Sequence, residues 1–114
     1  MPIHNPTTFD QFSQLINTNK ICLIDFYAQW CEPCKKLDKA LEQFSSLSTP
    51  INIVKINVEN DEFAILIKLC KITSMPFVIV FIDGIIQKEK FIGLQIDKLM
   101  FHINNKLLCG ATKL

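Results

Sequence analysis

The chain has 114 residues, 49% of them hydrophobic, which suits one domain over residues 1–114 whose core needs no metal or disulfide staple. Charged residues make up 20% and the formal net charge is +1, a balance that argues against a nucleic-acid partner, because phosphate binding calls for a strongly basic patch. The longest apolar run, Phe77 to Ile82, is strand-sized and far short of the ~20 residues a membrane helix needs, so no membrane association is expected.

The opening stretch "MPIHNPTTFDQ" lacks a secretory pattern, which makes a cytoplasmic location the expectation. Within it, "PIHN" reads as a short edge strand, where Pro2 leaves no ladder donor missing. In "TFDQFSQLI", Thr8 followed by Gln11 is a capping-box pattern, and Phe9, Phe12 and Ile16 fall on one helical face. Ile21 to Tyr27 is a near-continuous apolar run, the mark of a buried central strand, interrupted by Asp25. From Pro33 the period becomes helical. Leu37, Leu41 and Phe44 recur on one face, and Lys35, Lys36, Asp38, Lys39 and Glu42 are expected to face elsewhere. This helix should close before Pro50. Ile51 to Val58 is the next strand, and Asp61 to Cys70 a short helix with acids at its start. "FVIVFI" and "IIQKEKFI" flank Asp83-Gly84, a hairpin signal. Leu99, Ile103 and Leu107 place a last helix over Asp97 to Leu108. The order β-α-β-α-β-α-β-β-α implies an α/β fold: one mixed sheet of about five strands, with about four helices on its two faces.

The chain holds five cysteines, an odd count that does not suit a secreted disulfide framework. Cys31 and Cys34 stand together in "WCEPCK", between the buried strand and the amphipathic helix. In an α/β fold that is the carboxyl end of a central strand, where sites tend to lie. Pro33 suits the first turn of the helix, so free amides and the helix dipole point at the Cys31 sulfur and favour its thiolate. Cys34, one turn on, reaches that sulfur and should be the more buried of the two. Cys31 is thus the expected nucleophile on a substrate disulfide, and Cys34 the thiol that resolves the mixed disulfide. Glu32 is favourable to the dipole but disfavours a neighbouring anion, an effect that solvent screening keeps small.

A zinc site would need four ligands. Cys70 and Cys109 form no second CxxC, and His4 and His102 stand alone, so no metal is expected. A purely structural staple is disfavoured, because so short a loop removes little chain entropy. Cys22 and Cys70 read as small core residues, Cys109 as an exposed thiol.

These residues resemble the thioredoxin family. "DFYAQWCEPCK" is similar to the family's "DFWAxWCGPCK", Met75-Pro76-Phe77 stands where the family keeps its cis-proline loop, and "FIDG" and "FIG" match two glycine positions. The resemblance runs over essentially the whole chain and implies the thioredoxin fold. It implies that Asp25 is a buried proton relay with a raised pKa and Lys55 its partner. Pro76 would be cis and face the cysteines. Trp30, Glu32, Pro33, Met75, Pro76, Gly93 and Leu94 would form the surface that receives substrate. The implied activity is reduction of protein disulfides in cell redox homeostasis, by a monomer with no bound cofactor. Electrons would come from thioredoxin reductase, an NADPH-dependent flavoprotein, and pass to proteins such as peroxiredoxins. Two other readings are a dedicated reductant for one partner and a redox-silent binding or chaperone module; the intact Cys31 and Cys34 speak against the second. The chain departs from the family pattern at Glu32, at Lys39 where many members kink the helix with proline, at Ser74 and at Phe77, which bears on partner preference more than on chemistry.

Overall fold

The computed structural model describes residues 1–43 and 50–108. Five strands form one sheet in the order β1-β3-β2-β4-β5. β1 (Ile3–His4), β3 (Ile51–Asn57) and β2 (Ile21–Tyr27) run parallel; β4 (Phe77–Ile82) and β5 (Ile85–Ile92) run antiparallel to their neighbours. β2 is central, and every residue from Ile21 to Phe26 is buried. That is why its sequence is continuously apolar rather than alternating. β1 is an edge strand, as expected of "PIHN", and the Pro2 carbonyl accepts from the Ile53 N–H at 2.9 Å.

The period of two along the strands divides the core. Ile21 and Leu23 of β2, Ile51 and Ile53 of β3, and Val78 and Val80 of β4 pack on one face. There they meet Leu37 and Leu41 of α2 (Glu32–Glu42) and Leu99 of α4 (Ile96–His102). The alternate residues, among them Ile24, Phe26, Val54, Ile56 and Ile79, pack on the other face against Phe12 of α1 (Phe9–Thr18) and Leu66 of α3 (Ala64–Leu69). The architecture is the α/β fold expected from the element order.

Local chemistry explains the element ends. Thr8 caps α1, its side chain accepting from the Gln11 N–H at 3.2 Å. The reciprocal half of the box reaches one residue further back, since Gln11 Oε1 accepts from the Thr7 N–H at 2.8 Å. Phe9 is 44% exposed, so the expected apolar face of α1 rests on Phe12, with Leu15 and Ile16 partly buried. The expected helix over residues 61–70 divides into a 3-10 turn, Asp61–Phe63, and the shorter α3. Asn60 caps the turn by accepting from the Glu62 N–H at 3.0 Å. The last helix loosens into π-type turns over Ile103–Leu108, yet Leu99, Ile103 and Leu107 are all buried as their spacing implied. Asp83 and Gly84 both have positive φ, 53° and 78°, the paired left-handed turn that matches the twist of a two-residue hairpin. Phe44 and Cys109, placed in a helix and at the surface by their sequence context, lie outside the described residues.

Candidate active site

β2 delivers the chain to its carboxyl end at Tyr27, and α2 follows with Cys31 as its N-cap. The cap group is the cysteine sulfur itself: the Cys34 N–H donates to Cys31 Sγ at 3.2 Å. An amide donor at a helix N-terminus favours a negative charge on that sulfur. Pro33 occupies the first turn, where no N–H is needed. Cys31 and Cys34 are joined as a disulfide, with Cα atoms 5.3 Å apart. The expected difference in burial is slight in this oxidised state, 4% exposure for Cys31 and 2% for Cys34. What separates the two cysteines is position: Cys31 is the cap and Cys34 is inside the helix.

Ala28, Tyr27, Val58 and Met75 pack around the pair. The Met75-Pro76 peptide is cis, as the resemblance implied. The Gly93 N–H donates to the Pro76 carbonyl at 2.8 Å, which ties the loop after β5 to the proline. Gly93 has φ +77°, and a methyl group built on it would meet nothing within 4 Å, so its Cα faces open space. Trp30 is 67% exposed, which rules out a plain core role. Leu94 and Ile92 are also exposed. Glu32 is exposed and its carboxylate meets Lys35 Nζ at 3.0 Å. The charge expected to oppose a Cys31 anion therefore has its own counter-ion, one turn along the helix.

Asp25 is 1% exposed, and neither of its oxygens meets an N–H or hydroxyl donor among the described residues. It lies on the strand face that packs on α2, in register with Lys55 of β3 and Val78 of β4. Burial pushes its pKa up to about 7; the Asp38 carboxyl adds to the rise by charge and by hydrogen bonding, and the Lys55 ammonium opposes it. Lys55 acts on Asp25 by charge from the opposite register position, and no hydrogen bond joins the two. Its Nζ meets Asp38 Oδ2 at 2.9 Å and lies 4.6 Å from the centre of the Tyr27 ring. The reason is desolvation: Asp38 sits at the half-buried flank of α2 and keeps part of its hydration, which Asp25 cannot.

Asp38 is the residue that sequence reasoning missed. Its carboxylate was expected away from the apolar face of α2, yet Oδ1 is buried and the group acts on Asp25. The signal was present in the spacing, since Asp38 stands four residues after Cys34 and so shares its face. Cys22 is a buried free thiol, its pKa raised to about 11 by burial, and its sulfur donates to the Leu15 carbonyl at 3.6 Å. Cys70 is half-buried and free. Among the described residues no cluster of His, Cys, Asp and Glu could hold a metal ion.

A reversible sulfur–sulfur bond at a helix N-cap, beside an open backbone rim, is the equipment of a thiol–disulfide oxidoreductase. The thioredoxin family model matches residues 3–105. Thioredoxin of Coprinus comatus is 37% identical over 78 residues, covering 68% of this chain and 74% of that one. Mitochondrial thioredoxin 3 from Saccharomyces cerevisiae, in its oxidised form, superimposes with a TM-score of 0.78 at 33% identity, over 90% of this chain and 94% of that one. A chain from a structural study of thiol resolution in yeast mitochondrial 1-Cys peroxiredoxin, via the glutathione and thioredoxin systems, gives a TM-score of 0.78 at 30% identity, over 90% and 94%. The chain belongs to the thioredoxin family. Its activity is reduction of protein disulfides through Cys31 and Cys34.

Proposed function

We propose that the chain is a monomeric cytoplasmic electron carrier, taking two electrons from an NADPH-dependent flavoprotein thioredoxin reductase and passing them to protein disulfides, peroxiredoxins among them. The observation that carries the mechanism is the Cys34 N–H on Cys31 Sγ. In the reduced protein such a donor favours the anion on Cys31, the nucleophile in this reading. The Cys31 thiolate attacks one sulfur of the substrate disulfide; the other leaves as a thiolate and takes a proton from solvent. The Cys34 thiol gives its proton to the Asp25 carboxylate and attacks Cys31 Sγ. The second substrate sulfur leaves, and the Cys31–Cys34 disulfide remains. Trp30, Pro33, Met75, Pro76, Gly93 and Leu94 receive the substrate segment, with the Met75 backbone pairing to it and the open side of Gly93 admitting its main chain. Glu32, paired with Lys35, contributes charge at the rim of this surface. Support for the peroxiredoxin acceptor comes from the structural neighbour in the yeast peroxiredoxin study. The free thiols of Cys22 and Cys70 suit a reducing compartment.

The test is reduction of insulin by dithiothreitol with and without the protein. Acceleration that disappears in Cys31→Ser is the expected result; no acceleration by the wild type would overturn the reading. Replacing dithiothreitol with NADPH and a thioredoxin reductase then tests the donor.

A further inference from the structure

Three carboxylate oxygens lie buried without an N–H or hydroxyl donor among the described residues: both of Asp25 and Oδ1 of Asp38. They belong to two acids that meet around Lys55: Asp25 of β2 is its register partner, and Asp38 of α2 accepts from its Nζ at 2.9 Å. Two adjacent carboxylates cannot both ionise in a dry site without a large penalty. One proton held between them satisfies both, as an O–H of one acid donating to an oxygen of the other. Lys55 and burial together decide which acid holds it. The Lys55 Nζ is bonded to Asp38 Oδ2, and Asp25, the more deeply buried acid, is the one whose neutral form burial favours. β4 presents Val78 and Val80 on this face and carries no charge of its own, while Glu42 of α2 is a further charged group beside Asp38 and Lys55. The pair is not sealed from solvent. A cleft of about 170 Å³ at the β1 edge is lined by Asp38 and Lys55, with Asn5, Glu42, Ile3 and Ile53. It holds no residue of the dithiol or its substrate rim.

We propose that Asp38 is a positioning residue for the redox reaction: it shares the proton of Asp25, with Lys55 as its counter-ion, and sets the pH at which Asp25 can accept the proton of Cys34. Above the Asp25 midpoint, where the pair has released its shared proton, the Cys34 S–H bond breaks as Cys34 Sγ attacks Cys31 Sγ, and an Asp25 O–H bond forms that donates to the Asp38 carboxyl. The proton then passes to solvent through the Asp38 side of the pair, and Asp25 is ready again. No oxidant or reductant beyond the substrate disulfide is needed. The proposal rests on the reading of Asp25 as the base for Cys34.

The experiment follows Asp25 by the NMR shift of its labelled carboxyl carbon, alongside the pH profile of mixed-disulfide resolution, in the wild type, Asp38→Asn, Asp38→Glu and Lys55→Gln. Removing the Asp38 charge should lower the Asp25 midpoint, and that of the resolving step, by roughly one pH unit. Removing Lys55 should raise both. Asp38→Glu should restore values close to the wild type. A merely structural brace would change stability and leave these midpoints in place. An Asp25 midpoint that is the same in Asp38→Asn overturns the proposal. If that variant does not fold, a midpoint that fails to rise in Lys55→Gln overturns it. Wild-type insulin reduction is measured in the same series. An active wild type whose Asp25 midpoint ignores Asp38 sinks this proposal alone, whereas an inactive wild type sinks the functional reading.

Discussion

Asp25 is almost wholly buried in the protein interior, and the consequence extends beyond catalysis. The folded chain keeps its proton up to about pH 7, whereas the ordinary value is 3.8. Between those values the folded state binds more protons than the unfolded one, so stability falls as pH rises through that window and levels off above it. Asp25→Asn removes the liability. Each tenfold difference in proton affinity between the folded and unfolded chain is worth about 1.4 kcal/mol, so the variant should gain on the order of 2–4 kcal/mol over the wild type on going from weakly acid to weakly alkaline buffer. Urea unfolding of the oxidised protein at the two pH values measures it, and an equal difference at both would contradict the burial argument. The same residue shows what a sequence can reveal. A lone acid in an apolar strand was visible, but its partner was not. Lys55, opposite in register, is the obvious candidate; the choice of Asp38 instead depends on which oxygen can stay wet, a property of packing.

At the scale of elements, the hairpin joining β4 and β5 depends on two residues with positive φ, Asp83 and Gly84. A Cβ on Gly84 would lie 3.1 Å from the Asn17 side-chain oxygen and force a backbone conformation that L-residues disfavour. Gly84→Ala should cost about 1–2 kcal/mol, read as a lower urea midpoint with an unchanged slope. A midpoint equal to the wild type would mean that the turn adapts. The Asp-Gly pair made this hairpin legible, as Pro33 made the start of α2 legible. α3 was less so: the acids at residues 61 and 62 were read as the start of one helix, whereas Asn60 caps a tighter turn before it. The exposure of Phe9 was hidden as well, because spacing assigns a residue to a face but does not say how far the neighbouring element extends over it.

Across the whole molecule, the order of strands and helices and the two-faced core follow from apolar periodicity, since β2, β3 and β4 bury side chains on both faces of the sheet. The two cysteines, the proline loop and the glycine rim come from separate stretches of chain, and the sheet gathers them at one end of β2. Their proximity is a product of topology, which is why the resemblance to a family carried more there than spacing could. The central claim is a division of labour within one disulfide: Cys31 attacks and Cys34 resolves. It is tested most directly with reduced Cys34→Ser protein, mixed with a disulfide protein such as insulin and analysed by mass spectrometry without reductant. The account predicts a stable mixed disulfide mapped to Cys31, and none with Cys31→Ser. Capture through Cys34 in the Cys31→Ser protein, with no adduct in Cys34→Ser, would contradict it.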